Sequence, residues 1–470
     1  MEPDHVEDGE EQRARDERAS CRAKIRAKHA RGDHAEQSFH EHHHDEVDER
    51  ANRASPEAGR LGCNHEGYNT VMISVRDGQN RILDRVTQIA PPELVSVVDA
   101  LDRVLAEDVQ APFDVPPCDN SAVDGYAVGS GDIPADGTRD LAVIGDLPAG
   151  SVFDGVVGEG QTLRIMTGAP IPAGAHTVYP QEIVERVGAR VRIGALDQGA
   201  NVRRRGEDIA SGTMVVEAGH PLRPQEIGLL TSLGHVQALV HGRPRVALLS
   251  TGDEVAEPGT VRKPGQIYDS NRFTLRGSIT RCGAEVIDLG IVPDRREELR
   301  ARLLDAASMA EVVVSSGGVS VGVYDLVKDV LGEIGGIEFW QVAMQPGRPL
   351  AMGSIGRAHF FGLPGNPVAS LLAFMLFVRP AIYRLAGRHR LFPDTFHARA
   401  DEPLRKKTGR REFKRGILRY APDEACWHVR ISGPQGSGIL SSMVVGNCLI
   451  ILDEERGDVA TGELVEVEPF

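Results

Sequence analysis

The sequence predicts a multidomain α/β protein in which a β-rich region precedes a three-layer unit built on a mostly parallel sheet. Three observations carry this expectation. At 470 residues the chain exceeds what one core ordinarily organises, and roughly 150 residues per domain suggests about three. Residues 72–242 hold short strands, turns and helices without a βαβ rhythm. Residues 243–391 then alternate strand and helix, the pattern of a parallel sheet covered on both faces by helices.

The elements follow in order. Residues 1–71 carry 17 acidic and 11 basic side chains, half of the 16 histidines and almost no apolar clusters. Such a segment buries too little surface to offset its ordering entropy, so disorder is expected. It contains His40, Glu41 and His44, which spell HExxH; with no apolar periodic helix around them, adventitious metal binding is the expectation rather than zinc catalysis. Met72 reads as a natural start. Asp99 is expected to cap a short helix carrying Leu101, Val104 and Leu105. The Pro- and Gly-rich stretch 111–131 reads as a loop, and loops held by rigid neighbours commonly carry function.

In the second half, strands are predicted at 246–249, 286–289 and 312–314, with helices over 270–282, 295–307 and 367–385. The longest apolar run, 368–378, ends at Arg379 and is shorter than the roughly 20 residues that span a bilayer. No membrane protein is expected, nor a cleavable leader. A formal charge of −15 argues against a nucleic-acid partner. Six cysteines without a CxxC pair fit reduced thiols in the cytoplasm better than disulfides or a structural zinc site.

Polar residues gather where the predicted strands end. The first runs into Ser250-Thr251-Gly252-Asp253-Glu254, the second leads to Pro293-Asp294, and the third opens into Ser315-Ser316-Gly317-Gly318-Val319-Ser320, with Asp325 at a helix start. Ligands of such sheets bind beyond the carboxyl ends of the strands. Gly317 and Gly318 would let backbone N–H groups approach an anion, and the following helix adds its positive end. Neither GxxxxGK[ST] nor GxGxxG occurs, so a Walker ATPase and a standard dinucleotide dehydrogenase are unsupported. Singly, Asp325 reads as a helix N-cap, Asp294 as a turn residue and Glu254 as a solvated carboxylate. Together on one rim, beside a phosphate-type turn, they point to a magnesium and phosphate site.

Several long motifs occur together and in order: Asp119-Asn120-Ser121-Ala122-Val123-Asp124-Gly125-Tyr126-Ala127, Met166-Thr167-Gly168-Ala169-Pro170, Arg203-Arg204-Arg205-Gly206-Glu207-Asp208, Ile267-Tyr268-Asp269-Ser270-Asn271-Arg272, the two strand-end runs above, and Gly362-Leu363-Pro364-Gly365-Asn366-Pro367. In these the chain resembles the MoeA family of molybdopterin molybdenumtransferases, which includes the E domain of gephyrin. The resemblance covers about 72–470 and implies four domains: an elongated α+β domain I from 72–110 and 205–242, an inserted β-rich domain II over 111–204, the α/β domain III over 243–391, and a C-terminal β-barrel, domain IV, over 392–470. It implies a homodimer with shared sites that inserts molybdenum from molybdate into adenylated molybdopterin, with Mg²⁺, and releases AMP. A molybdopterin adenylyltransferase would be a partner.

By that resemblance Glu254, Asp294 and Asp325 organise metal and substrate, while Asp124, Thr167 and Asp208 act from the domain I and II side. Ser316, Gly317, Gly318 and Ser320 would cradle substrate, Pro364 and Pro367 shape the loop beneath it, and Arg348, Arg415 and Ser437 lie around the oxyanion. The chain departs from the family pattern at Gln341 and Gln345, where lysines are usual, and at Arg348, which replaces a lysine. Two positive charges are therefore missing, which implies weaker molybdate affinity, whereas Arg348 keeps its charge in a fork suited to oxyanions. Another enzyme on the same α/β domain, such as an adenylyltransferase or a CinA-like nucleotide hydrolase, would leave the motifs at 119–127 and 203–208 unexplained. A noncatalytic scaffold would leave the acidic rim without a role.

Overall fold

The computed structural model describes residues 71–317 and 326–470. The acidic N-terminal segment and its HExxH motif lie outside the described residues.

The three-layer unit is built on a seven-stranded sheet, ordered Val71–Ile73, Gly336–Val342, Pro349–Ile355, Ala358–Leu363, Val312–Ser316, Arg245–Thr251, Glu285–Val292. The last four strands are parallel neighbours, and Pro349–Ile355 runs antiparallel to both of its neighbours. Side chains alternate between faces along a strand. Val246 and Leu248 accordingly point into one core, beneath helices Val75–Arg85, Ser270–Arg281 and the long helix from Pro367. Ala247 and Leu249 point into the other, beneath Arg296–Met309 and Leu326–Ile334. Strand Val71–Ile73 pairs in parallel with Gly336–Val342, so the chain just before helix Val75–Arg85 forms one border of this sheet.

The helix expected at 367–385 runs Pro367–Leu385 with a π-helical stretch at Phe374–Val378. At 19 residues and a mean hydropathy of 1.6 it is long and apolar enough to cross a membrane, which the shorter run read from sequence had not shown. It is instead a core helix, 78% of its apolar window being buried inside the protein.

Upstream, Pro92–Ser96 pairs with Gln237–His241 and Val109–Gln110 with Met214–Val216, joining two distant segments around one small core. The helix expected after Asp99 is absent. Ser96 caps a single 3₁₀ turn, Val97–Ala100; Asp102 then turns left-handed at φ 62°, and Val104 and Leu105 leave as bridge partners of Pro221 and Val240. Pairing across the domain outweighs a weak local helical pattern here. Between the paired segments lies a six-stranded sheet, Thr177–Pro180, Gly125–Val128, Gln161–Ile165, Arg139–Leu147, Arg190–Ile193, Glu185–Val187. The stretch read as a loop thus contributes a buried strand, Gly125–Val128. At the C-terminus, Arg411–Ala421, Cys426–Ile431, Phe396–Ala400, Leu464–Pro469 and Cys448–Leu452 close into a five-stranded barrel around an aliphatic core.

Candidate functional site

Strands Arg245–Thr251, Val312–Ser316 and Ala358–Leu363 are parallel neighbours in register, with Ser250 opposite Ser316 and Ser316 opposite Leu363. Their carboxyl ends therefore deliver Thr251, Gly317 and Pro364 to one edge. Gly317 has φ 93°, and a Cβ there would lie 2.8 Å from the Thr251 carbonyl oxygen, so only glycine fits. Its N–H donates to Leu363 O at 3.1 Å. Gly318, Ser320 and Asp325 lie outside the described residues.

Asn271 ties this edge together. Its Nδ2 donates to Ser316 Oγ and to the Gly365 carbonyl, each at 2.8 Å. Asp269 caps the helix beneath it by accepting from the Arg272 N–H at 3.0 Å. Arg272, 4% exposed, donates to Asp269, Asp288 and Glu257 and so fixes the first helical turn. Asn271 was not among the site residues read from sequence, although a polar residue in the first turn of a capped helix was the available signal. Ser250 Oγ, Thr251 Oγ1 and Ser315 Oγ are buried at the same edge without a partner among the described residues. Buried hydroxyls of this kind ordinarily find partners.

Strand Glu285–Val292 pairs with Arg245–Thr251, Thr251 opposite Val292, which carries Asp294 to Asp253 and Glu254. The Asp294 N–H reaches Asp253 Oδ1 at 3.5 Å. Burial, then the negative charges of Asp253 and Glu254, push the Asp294 carboxyl above the usual carboxylate range. None of the three forms an ion pair among the described residues, and the nearby Arg295 bridges Glu298 instead, at 2.8 Å. Sequence reading placed Glu254 and Asp294 together and omitted Asp253. Mutually repelling carboxylates, one partly buried, are the hard oxygen donors that suit Mg²⁺.

On the other side of the edge, Pro364 is buried and Pro367 occupies the first position of its helix, where a missing N–H costs nothing. The Val368 N–H donates to the Ser437 carbonyl at 3.0 Å, bringing the barrel segment over the helix start. A Cβ on Gly347 would lie 3.3 Å from Ala369 O, so the turn carrying Arg348 packs here too. Arg348 Nη2 donates to Gln341 Oε1 at 3.3 Å, and its Nε is buried without a partner among the described residues. Arg415 differs from expectation. It is 1% exposed and donates to Ser442 Oγ at 3.0 Å and to Gly436 O at 3.1 Å, so it braces the segment bearing Ser437 from inside. Burial lowers its pKa. Gln345 lines a cleft of about 770 Å³ beside Arg405, Lys406, Lys407, Arg410 and Lys414, two of them paired with Asp458 and Glu412 of the same lining at 2.7 Å, so an excess of positive charge remains where a lysine was expected.

Asp124 and Thr167 border two strands of the six-stranded sheet, Gly125–Val128 and Gln161–Ile165, and Asp208 lies in a separate turn. The Thr167 N–H and hydroxyl both donate to Asp124 Oδ1, at 2.8 and 2.7 Å, and hold its carboxyl below the usual range. Gly125 follows because a Cβ there would meet Tyr179 O at 1.9 Å. Asp208 is exposed, in a turn fixed by its N–H to Val115 O at 3.0 Å. Around it Arg204 pairs with Asp119 at 2.7 Å and Arg205 with Asp114.

Comparison with known proteins agrees across this architecture. Residues 73–234 match the MoeA N-terminal region (domain I and II), 247–384 a probable molybdopterin binding domain, and 397–470 the MoeA C-terminal region (domain IV). The chain is 40% identical to the molybdopterin molybdenumtransferase of Haemophilus influenzae over 85% of its own length and 99% of that protein. It is 36% identical to molybdopterin molybdenumtransferase 2 of Mycobacterium tuberculosis over 84% and 99%. The crystal structure of a molybdopterin biosynthesis moeA protein from Pyrococcus horikoshii OT3 superposes with a TM-score of 0.74 at 29% identity, covering 85% of this chain and all of that one. Matched by these three regions and along nearly the whole of those relatives, the chain belongs to the MoeA family of molybdopterin molybdenumtransferases.

Proposed function

We propose that the protein inserts molybdenum from molybdate into adenylated molybdopterin and releases AMP, with Mg²⁺ held by Asp253, Glu254, Asp294 and Asp325. The observation that carries this reading is the juxtaposition, on one sheet edge, of the Gly317 cradle with unpaired carboxylates, one of them pushed up in pKa. A phosphoanhydride needs backbone approach and a hard cation, and both lie side by side here. Bound there, Mg²⁺ would offset phosphate charge and polarise the anhydride. Asn271 holds the Ser316 and Gly365 ends in place, and the orphaned hydroxyls of Ser250, Thr251 and Ser315 are available to substrate oxygens. Arg348 and Ser437 flank the helix start as oxyanion contacts. Water adds across the anhydride, one phosphorus–oxygen bond forming as the bond to AMP breaks; two molybdenum–sulfur bonds form at the soft dithiolene as one molybdate oxygen leaves as water with the two thiol protons, so molybdenum stays hexavalent and no oxidant or reductant is consumed.

Asp124 and Thr167 border a different sheet from this edge, an arrangement compatible with a site completed by a second copy of the chain, in a homodimer with two equivalent clefts. A molybdopterin adenylyltransferase would supply the substrate, and the cytoplasm is the expected setting. The direct test supplies the purified protein with adenylated molybdopterin, molybdate and Mg²⁺ and measures AMP together with molybdenum cofactor. Both products are expected in equal amounts. AMP without molybdenum incorporation would move the assignment to an anhydride hydrolase on the same α/β domain.

A further inference from the structure

A second cluster lies on the C-terminal barrel, away from the sheet edge. Strands Arg411–Ala421 and Cys426–Ile431 form an antiparallel hairpin with Ala421 opposite Cys426. Cys426 and His428 are two residues apart and so share a face, and Glu424 lies in the turn just before them. His428 Nε2 is 3.3 Å from Cys426 Sγ and 3.2 Å from Glu424 Oε2. All three ligand atoms lie within 4.8 Å of one another. Tetrahedral coordination of zinc would set a thiolate sulfur and an imidazole nitrogen about 3.6 Å apart, and that nitrogen and a carboxylate oxygen about 3.4 Å apart. For the two pairs that include His428, an ion would need only a few tenths of an ångström of expansion.

The far side of the imidazole is also prepared. His428 Nδ1 is 2.8 Å from Asp401 Oδ1, and Asp401 is itself held by Arg419 at 3.3 Å and by its own N–H to Val429 O at 2.8 Å. A carboxylate on the outer nitrogen fixes the tautomer that offers Nε2 as a ligand. Without an ion, a thiol and a carboxylate converge on one nitrogen that carries either one proton or one lone pair. Trp427, on the opposite face, packs against Phe396 and Tyr420 at 5.6 and 5.3 Å and keeps the strand in place. The CxxC criterion could not find this group, because its ligands alternate along a strand.

The geometry points to a metal site for a borderline-soft divalent ion, Zn²⁺ or Co²⁺, held by Cys426 Sγ, His428 Nε2 and Glu424 Oε2. Glu424 is exposed and Cys426 half-buried, which leaves the fourth position to solvent. The ion would clamp the hairpin turn.

The test uses the full chain with Co²⁺ as a spectroscopic probe, because a thiolate-to-cobalt charge-transfer band reports sulfur ligation that Mg²⁺ carboxylate sites cannot give. The intact protein should show the band and lose it to one equivalent of Zn²⁺. Cys426→Ser and His428→Ala should abolish it while circular dichroism stays native. A Cys21→Ser, Cys63→Ser double variant should keep it, which excludes the His-rich N-terminal segment as its source. Asp401→Asn should weaken binding roughly 10- to 100-fold, the usual effect of losing such an outer carboxylate. A band that survives Cys426→Ser, or its absence from the folded wild type, would overturn the site and leave a hydrogen-bonded Cys–His–Asp group.

Discussion

Carboxylates of the sheet edge and of the β-rich region live in opposite environments. In the β-rich region Asp114 and Asp119 accept from backbone N–H groups and from Arg205 and Arg204, which hold their carboxyls below the usual range. At the sheet edge, burial and like charge push Asp294 upward, and no cation among the described residues answers it. Acids that the protein satisfies itself are framework; acids that it leaves in repulsion await something from outside. Asp124 falls between, since the two Thr167 donors and, more weakly, the charge of Arg164 keep it ionised while no ion pair closes on it among the described residues.

The comparison breaks most visibly if the edge acids prove dispensable. Asp294→Ala and Glu254→Ala should each lower molybdenum cofactor formation on the order of 10²-fold or more. Their melting temperature should hold or rise, because one repelling charge has gone. Unchanged turnover would make the edge framework too. Next in size is a mixed dimer of Asp124→Ala and Asp294→Ala chains. If the regions meet across a two-fold interface, one cleft carries both lesions and the other neither. Equal mixing should then restore roughly a quarter of wild-type activity from two nearly inactive parents. No recovery after subunit exchange, verified by native mass spectrometry, would place both regions in one chain's cleft.

A smaller effect separates the two acid classes by pH. Asp294 has a raised folded pKa, so its stability contribution is full below the ordinary Asp range and is lost as pH rises through the raised value. Thermal melts without divalent cation should show that loss, Mg²⁺ should reverse it, and Asp294→Asn should flatten it. Glu226 should do the opposite. Arg223 holds it at about 2, against 4.5 ordinarily, so its contribution is present above 4.5 and lost as pH falls toward 2. Glu226→Gln should cost about 1–3 kcal/mol near neutrality and little in strong acid, and a pH-independent difference would rule the ion pair out as its cause. Smallest is Gln345→Lys. With five cationic side chains against two acids already lining that cleft, the half-saturating molybdate concentration should change less than about twofold. A larger decrease would show that the missing lysine is felt at the oxyanion.

What the sequence by itself determined was what short-range pattern controls. The apolar runs at 246–249 and 312–314 have one long-lived solution, a buried parallel strand, and Asp269 caps its helix within three residues of chain. Glu254, Asp294 and Gly317 were legible for that reason, since a parallel sheet sends every strand's carboxyl end to the same edge. The helix expected at Asp99 failed because Leu105 is claimed by Val240, a partner no local window contains. Asn271, Asp253 and Arg415 were likewise decided only by tertiary structure. One amide bonds Ser316 and Gly365 across 45 and 94 residues of chain, and a guanidinium that reads as an oxyanion ligand is consumed by the Gly436 carbonyl and the Ser442 hydroxyl. Local patterns fix which element forms, because hydrogen bonding and burial repeat along the chain. The partner of a single polar group is fixed only when distant elements are packed together.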